Sequence, residues 1–297
     1  MIASKGDPTM RNRLLALAAT IGLIATACGD GPDDDVGPAS SGPTEPAASD
    51  TETTDTAAPS DETSEPAAAA VDQAAFDEIA KQLVQQFELP AAALQVRVDS
   101  QEPTTAVAGV ADLDTQQALA DTDQLRIYSV TKAVTAVIIL QLAEEGVLDL
   151  DDPITDWLPP STIAEVPNND QMTIRHLLTH SSGAADYFDT IRPGEQQPAF
   201  IGELLGQAQT GEFHWYTPQE LIEFSTQFEP PFAPGDGTTY SNTGYVMLGL
   251  IIEAATGNPV HDEMTARVLE PLGLTSTYLE TPDTANDYIP GYLHLGP

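Results

Sequence analysis

The sequence predicts an α+β domain, a strand hairpin followed by a long helical stretch. Three observations carry this expectation. The strand-like patterns fall early, as a hairpin between Ala92 and Val110. Beyond Arg126 the chain reads as helices and loops rather than as alternating βαβ units, which points away from a parallel sheet. The front of the 297-residue chain has the composition of a leader and a tether, leaving 227 residues, 71–297, for the packed domain.

At the N-terminus, Arg11 and Arg13 precede a 14-residue apolar run, Leu14 to Ala27, too short to span a bilayer as a helix and suited to an export signal. Cys28, the one cysteine of the chain, follows Ala25-Thr26-Ala27 where a bacterial lipoprotein signal has its lipidated residue, so residues 1–28 resemble a lipoprotein-type export signal. The expected location is the outer side of a bacterial cell membrane, held by a lipid anchor. The alternative is secretion after cleavage near Ala27, with Cys28 a free thiol. Residues 29–70 hold eleven carboxylates, no basic or aromatic residue, and Val36 as the only larger aliphatic. Such a segment buries too little apolar area to offset its ordering entropy and is expected to be a disordered acidic linker, with a reach on the order of 35 Å.

From Val71 the composition becomes that of a folded domain, 71–297. A helix is predicted over Val71 to Phe87, then strands at Ala92 to Val98 and Thr104 to Val110 around the turn-forming Asp99-Ser100-Gln101-Glu102-Pro103. Extended chain from Arg126 to Val130 leads into a helix over Thr131 to Glu145, closed by Gly146. Its apolar residues lie all round the axis, which predicts a helix buried within the domain. Thr173 to Leu178 starts a helix and runs into the loop Thr179 to Asp186. Further helices are predicted at Pro218 to Gln227, at Tyr245 to Ala255 before Gly257, and at Val260 to Leu269.

Charge narrows the function. With 10 Lys+Arg against 46 Asp+Glu the net charge is -36, and the domain alone carries -27. No basic patch exists to neutralise phosphates, so a nucleic-acid partner is not expected. A single cysteine provides neither an internal disulfide nor a structural zinc set.

The chemistry concentrates in two short segments. In Ser129-Val130-Thr131-Lys132, at the start of the apolar helix, the i, i+3 spacing places the lysine amine beside the serine hydroxyl. A serine hydroxyl becomes a nucleophile when a base takes its proton, and a lysine becomes such a base when burial or a nearby cation disfavours its charged form. The Ser129 backbone N–H, at the positive helix end, would face a developing oxyanion. Tyr240-Ser241-Asn242 lies in a polar turn before the next apolar helix, so a phenol and an amide can project into the same cleft.

Together these segments resemble the first two motifs of the penicillin-recognising serine hydrolases, in the branch of class C β-lactamases, D-alanyl-D-alanine carboxypeptidases and related esterases. The likeness extends through Leu148 to Pro153, Thr173 to Gly183 and Pro271 to Leu274, and covers nearly all of Phe76 to Tyr292. It implies a β-lactamase/DD-peptidase-like α+β fold, an antiparallel sheet packed by helices plus a helical subdomain, with the C-terminal strands missing from the sequence given and without a cofactor or a metal. It also implies an acyl-enzyme mechanism on a β-lactam, a peptidoglycan stem peptide or a small ester. Ser129 would attack, Lys132 and Tyr240 would move protons, and Asn242 would hold the substrate amide and Lys132. The family pattern also has a third motif, Lys-Thr-Gly or a His-x-Gly equivalent, on a strand that supplies a second oxyanion N–H. The sequence given runs to Gly296-Pro297 without that motif, and the expectation is a C-terminally truncated reading of a longer gene.

Two alternatives remain at this point. One is a non-catalytic, penicillin-binding-like lipoprotein that keeps the fold. The other is a zinc hydrolase using His176 and His180, spaced i, i+4, against which stand the absence of a glutamate in the metalloprotease place and the helix-breaking Ser181-Ser182-Gly183. His214, His261 and His294 are expected to be surface or packing residues. Trp157 and Trp215 are expected in the core or at a rim. Glu144, Glu145, Asp149, Asp151 and Asp152 are expected to be solvated charges.

Overall fold

The computed structural model describes residues 71–212, 214–282 and 288–292. The predicted signal with Cys28, the predicted linker, His294 and the Gly296-Pro297 end lie outside the described residues. Among the described residues no helix is long and apolar enough to cross a membrane. The chain divides into two compact units, which part between Ala108 and Gly109.

The first unit holds helix α1 (Gln73–Gln86) and most of a hairpin of strands β1 (Ala91–Val96) and β2 (Thr104–Gly109). The helix starts two residues later than predicted because the Asp72 carboxylate caps it, accepting from the backbone N–H groups of Ala74 and Ala75 at 3.0 and 3.3 Å. The helix packs on β1. Strand β1 starts one residue earlier than predicted and ends two residues earlier, at the turn, while β2 ends one residue earlier, and Val110 instead forms an isolated antiparallel bridge with Ala118.

The second unit is built around two helices, α2 (Thr131–Glu144) and, later in the chain, α7 (Asn242–Thr256). Between them come α3 (Pro160–Ile163), α4 (Ile174–Leu178), α5 (Ala199–Thr210) and α6 (Pro218–Ser225). After them comes α8 (Val260–Met264), continued by a π-helical turn over Thr265–Leu269 where a uniform α-helix was expected. Ile138, Ile139 and Leu142 of α2 meet Met247, Leu248, Ile251 and Ile252 of α7 in one buried cluster with Leu177 and Ile222. Each such side chain contributes about 1.5–3 kcal/mol by leaving water.

The expectation that α2 is buried on every side is corrected. Val137 and Leu140 are 42% and 51% exposed. A helix apolar all round carries no angular signal, so the sequence could not say which face packs. Helix α5, absent from the sequence reading, supplies Phe200 and Ile201 to a second cluster with Phe188, Tyr187, Tyr216 and Phe224. Phe200 stands edge-on to Phe224 with ring centroids 5.3 Å apart.

Several charges expected to be solvated are paired. Arg267 reaches both Glu145, at the end of α2, and Glu263 in α8. Arg175 holds Asp151 at 2.7 Å and keeps that carboxyl below its ordinary range. The Trp157 indole N–H donates to Asp152 at 3.2 Å, and His214, expected as a surface or packing residue, lies 2.9 Å from Glu220. Trp215 is exposed at the surface.

Candidate active site

The site lies where the N-terminal ends of α2 and α7 come together, entirely within the second unit. Ser129 sits in a 3-10 turn, Tyr128–Val130, that runs straight into α2, so Lys132 is the second residue of the helix and faces back over the turn. Tyr128 enters this turn with φ 45°, a left-handed conformation that an aromatic residue adopts only under constraint. The backbone is thus bent sharply just before the serine.

At α7 the structure corrects the expected start. The helix begins at Asn242 rather than Tyr245, because Ser241 is its N-cap, with its hydroxyl accepting from Gly244 N–H at 3.2 Å. Tyr240 and Asn242 therefore flank a cap, and their side chains leave the backbone in different directions. The phenol of Tyr240 donates to Ser129 Oγ at 2.7 Å. Lys132 Nζ donates to the same oxygen at 3.2 Å and to Asn242 Oδ1 at 2.7 Å. The Lys132 ammonium also lies 4.8 Å from the centre of the Tyr240 ring and 5.6 Å from that of Tyr245. The structure thus brings together all four side chains that the sequence singled out for this cleft: Ser129, Lys132, Tyr240 and Asn242.

The loop after α4 supplies a supporting layer. His180 does not continue the helix on which the i, i+4 metal pair depended, since α4 ends at Leu178 and His180 takes φ 58°. His176 Nδ1 accepts from Thr173 N–H in a capping box at the start of α4. His180 Nδ1 accepts from Ser241 N–H at 3.2 Å, and its ring lies 4.6 Å from Tyr240 and 5.1 Å from Tyr245. Each imidazole thus accepts a backbone N–H at its Nδ1, and no group of three or more His, Cys, Asp or Glu among the described residues is placed to hold a metal ion. Burial, followed by the Lys132 charge, keeps His180 below its ordinary pKa against the opposing pull of Asp186. The neutral, acceptor form of the ring is the one this geometry uses.

Sequence reasoning missed Asp186. It is 8% exposed, and its carboxylate accepts from Asn242 N–H and from Asn242 Nδ2, both at 3.0 Å. The loop is fastened on both sides of this contact. Thr243 Oγ1 donates to the Ala185 carbonyl and accepts from Tyr187 N–H, while Gly235 and Thr239 N–H donate to the carbonyls of Ser181 and His180. Asp189, an exposed residue nearby, has its carboxyl raised by partial desolvation and by Asp186, with Lys132 opposing.

A groove of about 670 Å³ borders Tyr128 and Thr131, lined in part by Leu125, Ile127, Tyr278 and Leu279. On its wall Arg126 pairs with Glu280 at 2.9 Å and stacks over Tyr288 at 4.2 Å. Chemically, the arrangement offers a hydroxyl between an amine and a phenol, with an amide holding the amine.

Comparison with known proteins identifies the family of the chain. Residues 76–289 match the family described as Beta-lactamase. Esterase EstB of Burkholderia gladioli is 32% identical over 167 residues, which are 56% of this chain and 41% of the esterase. The D-alanyl-D-alanine-carboxypeptidase/endopeptidase AmpH of Escherichia coli K12 is 27% identical over 160 residues, 54% of this chain and 38% of that protein. Among solved structures, D-amino acid amidase from Ochrobactrum anthropi SV3, complexed with L-phenylalanine amide, superposes with a TM-score of 0.61 at 30% identity, over 75% of this chain and 57% of the amidase. The chain spans about two fifths of the length of these two curated relatives.

Proposed function

Because the chain belongs to the beta-lactamase family, whose α+β fold it shares, we propose that it is a serine hydrolase forming an acyl-enzyme at Ser129. The observation that carries this reading is the placement of one hydroxyl oxygen within hydrogen-bonding distance of both Lys132 and Tyr240. In the acylation step Ser129 Oγ bonds to the carbonyl carbon of an amide or ester while its proton passes to the Lys132–Tyr240 pair in the state in which one member, the amine or the phenolate, is deprotonated and free to accept it. The tetrahedral intermediate then collapses, the bond to the leaving amine or alcohol breaks, and Tyr240 returns the proton to it. Water reverses the sequence, releasing the acid and restoring the Ser129 hydroxyl. Asn242 holds Lys132 in place and offers its amide to the substrate.

The substrate belongs to the set shared by β-lactams, D-Ala-D-Ala peptides, small esters and amides, on which relatives of this fold act. The sequence of the leader supports an exported protein held to the outer face of a bacterial membrane through Cys28. The decisive experiment is a panel of labelled penicillin, a nitrophenyl ester and a D-amino acid amide, applied to the protein and to Ser129→Ala. Covalent labelling or turnover that disappears in Ser129→Ala is expected. Equal activity in the variant would refute the assignment of the nucleophile, and no labelling by any member of the panel would favour a binding protein that only keeps the fold.

A further inference from the structure

We propose that Asp186 is a positioning residue: its carboxylate fixes which way round the Asn242 amide sits, so that the amide oxygen faces Lys132 and holds the amine beside Ser129. The inference rests on the hydrolase reading for its catalytic meaning, though not for its geometry. An asparagine side chain has an acceptor end and a donor end of nearly equal size, and nothing in the residue itself decides between two orientations half a turn apart. A carboxylate only accepts. Asp186 Oδ2 takes the Asn242 Nδ2 hydrogen bond at 3.0 Å, while Oδ1 takes the backbone N–H of the same residue at 3.0 Å. One N–H of the donor end is thereby engaged, leaving the other for a substrate, and the Asn242 Oδ1 is turned to Lys132 Nζ at 2.7 Å. With the amide reversed, Nδ2 would face an ammonium with no acceptor to offer.

The carboxylate is itself held. It accepts from Phe188 and Asp189 N–H at 3.3 and 3.2 Å, and the Thr190 hydroxyl donates to the Asp186 carbonyl at 2.6 Å. Around Lys132 stand Ser129 on the preceding turn and Tyr240, Asn242 and Tyr245 at the start of α7. His180, Asp186 and Asp189 come from the loop between α4 and α5. Only Asp186 among these contacts the amide that touches the amine.

The test is Asp186→Asn, nearly the same shape but able to donate. Expected is a fall of about 10- to 100-fold in the acylation rate at saturating substrate, with KM little changed. A displaced NMR signal for the Asn242 side-chain amide should accompany it. Arg192→Gln removes the contacts to Gln227 and Glu195 that fasten the far part of the same loop, leaves every partner of the carboxylate in place, and should change neither the signal nor the rate. An equal loss in Arg192→Gln, or a parent-like amide signal and rate in Asp186→Asn, would overturn the proposal.

Should Asp186→Asn fail to fold, the parent decides. Its Asn242 amide protons, held by a buried carboxylate, should exchange slowly with solvent, and fast exchange would overturn the assignment. If the parent forms no acyl-enzyme at Ser129, the hydrolase reading falls, while the amide signal and its exchange still decide the role of Asp186.

Discussion

Gly183 offers a sharp test of how the loop that carries His180 and Asp186 is held. Its φ is +70°, and a Cβ built there would lie 2.1 Å from the carbonyl oxygen of Phe232, a backbone atom that cannot rotate aside. Gly146, after α2, has nearly the same conformation, φ +71°, with nothing within 4 Å of a built Cβ. Alanine at either position carries the left-handed penalty of about 1–2 kcal/mol. At Gly183 it must also drive two backbone segments apart, which adds about 1–3 kcal/mol on the scale of overpacking a tight interior. The expected loss is therefore about 1–2 kcal/mol for Gly146→Ala and about 2–5 kcal/mol for Gly183→Ala.

At about 2–4 °C per kcal/mol for a domain of this size, Tm should fall by roughly 2–8 °C in the first variant and roughly 4–20 °C in the second. Thermal unfolding followed by circular dichroism measures both. Acylation by labelled penicillin or ester, measured well below Tm, should fall in Gly183→Ala and persist in Gly146→Ala. Equal Tm losses in the two variants would show that the approach to Phe232 costs nothing, and would refute the view that this contact fixes the loop.

Two further outcomes are expected from the charges. Asp189 has a carboxyl raised above its ordinary value by partial desolvation and by Asp186. A raised folded-state pKa favours folding below the ordinary carboxyl range, and that contribution is lost as pH rises through the folded value. Asp189→Asn should therefore raise Tm only slightly at pH 7, because water screens the repulsion at this exposed position, with the gap closing as the pH falls toward about 4. A gap independent of pH, or one of opposite sign at neutrality, would contradict the assignment. The domain, at -27, should also gain Tm between about 0.1 M and about 1 M salt, as the screening length shrinks from about 10 Å to about 3 Å. A flat or falling response in a salt series would count against self-repulsion as a significant term.

Much of the site was legible because its parts are local. Ser129 and Lys132 are three residues apart where a turn becomes a helix, and Tyr240 and Asn242 bracket a serine that caps the next one. Asp186 was not legible in the same way. Its meaning comes from a contact 56 positions along the chain, and a lone aspartate in a loop ordinarily signals nothing more than a turn. The metal alternative arose from reading His176 and His180 as one helical face, whereas the helix stops between them. Helix α5 went unread because Gly202 and Gly206 weaken the helical signal that Phe200, Ile201, Leu204 and Leu205 would otherwise give. The fold class followed from the order of the patterns, and the exposed face of α2 did not, because uniform apolarity has no direction.

The two helices that deliver the reacting groups also pack on each other in the core, α2 through Ile138, Ile139 and Leu142 and α7 through Met247, Leu248 and Ile251. Ser129 and Lys132 ride at the end of one rod, Tyr240 and Asn242 at the end of the other. The spacing of the hydroxyl from the phenol is thus gauged by side chains that never meet a substrate. A single methylene added or removed along that seam alters the gap between the rods, and a misplacement of about 1 Å can cost about 100-fold in rate. The hydrophobic core of this protein is therefore also its calliper, and substitutions far from Ser129 can tune or silence it while every polar group of the site stays in place.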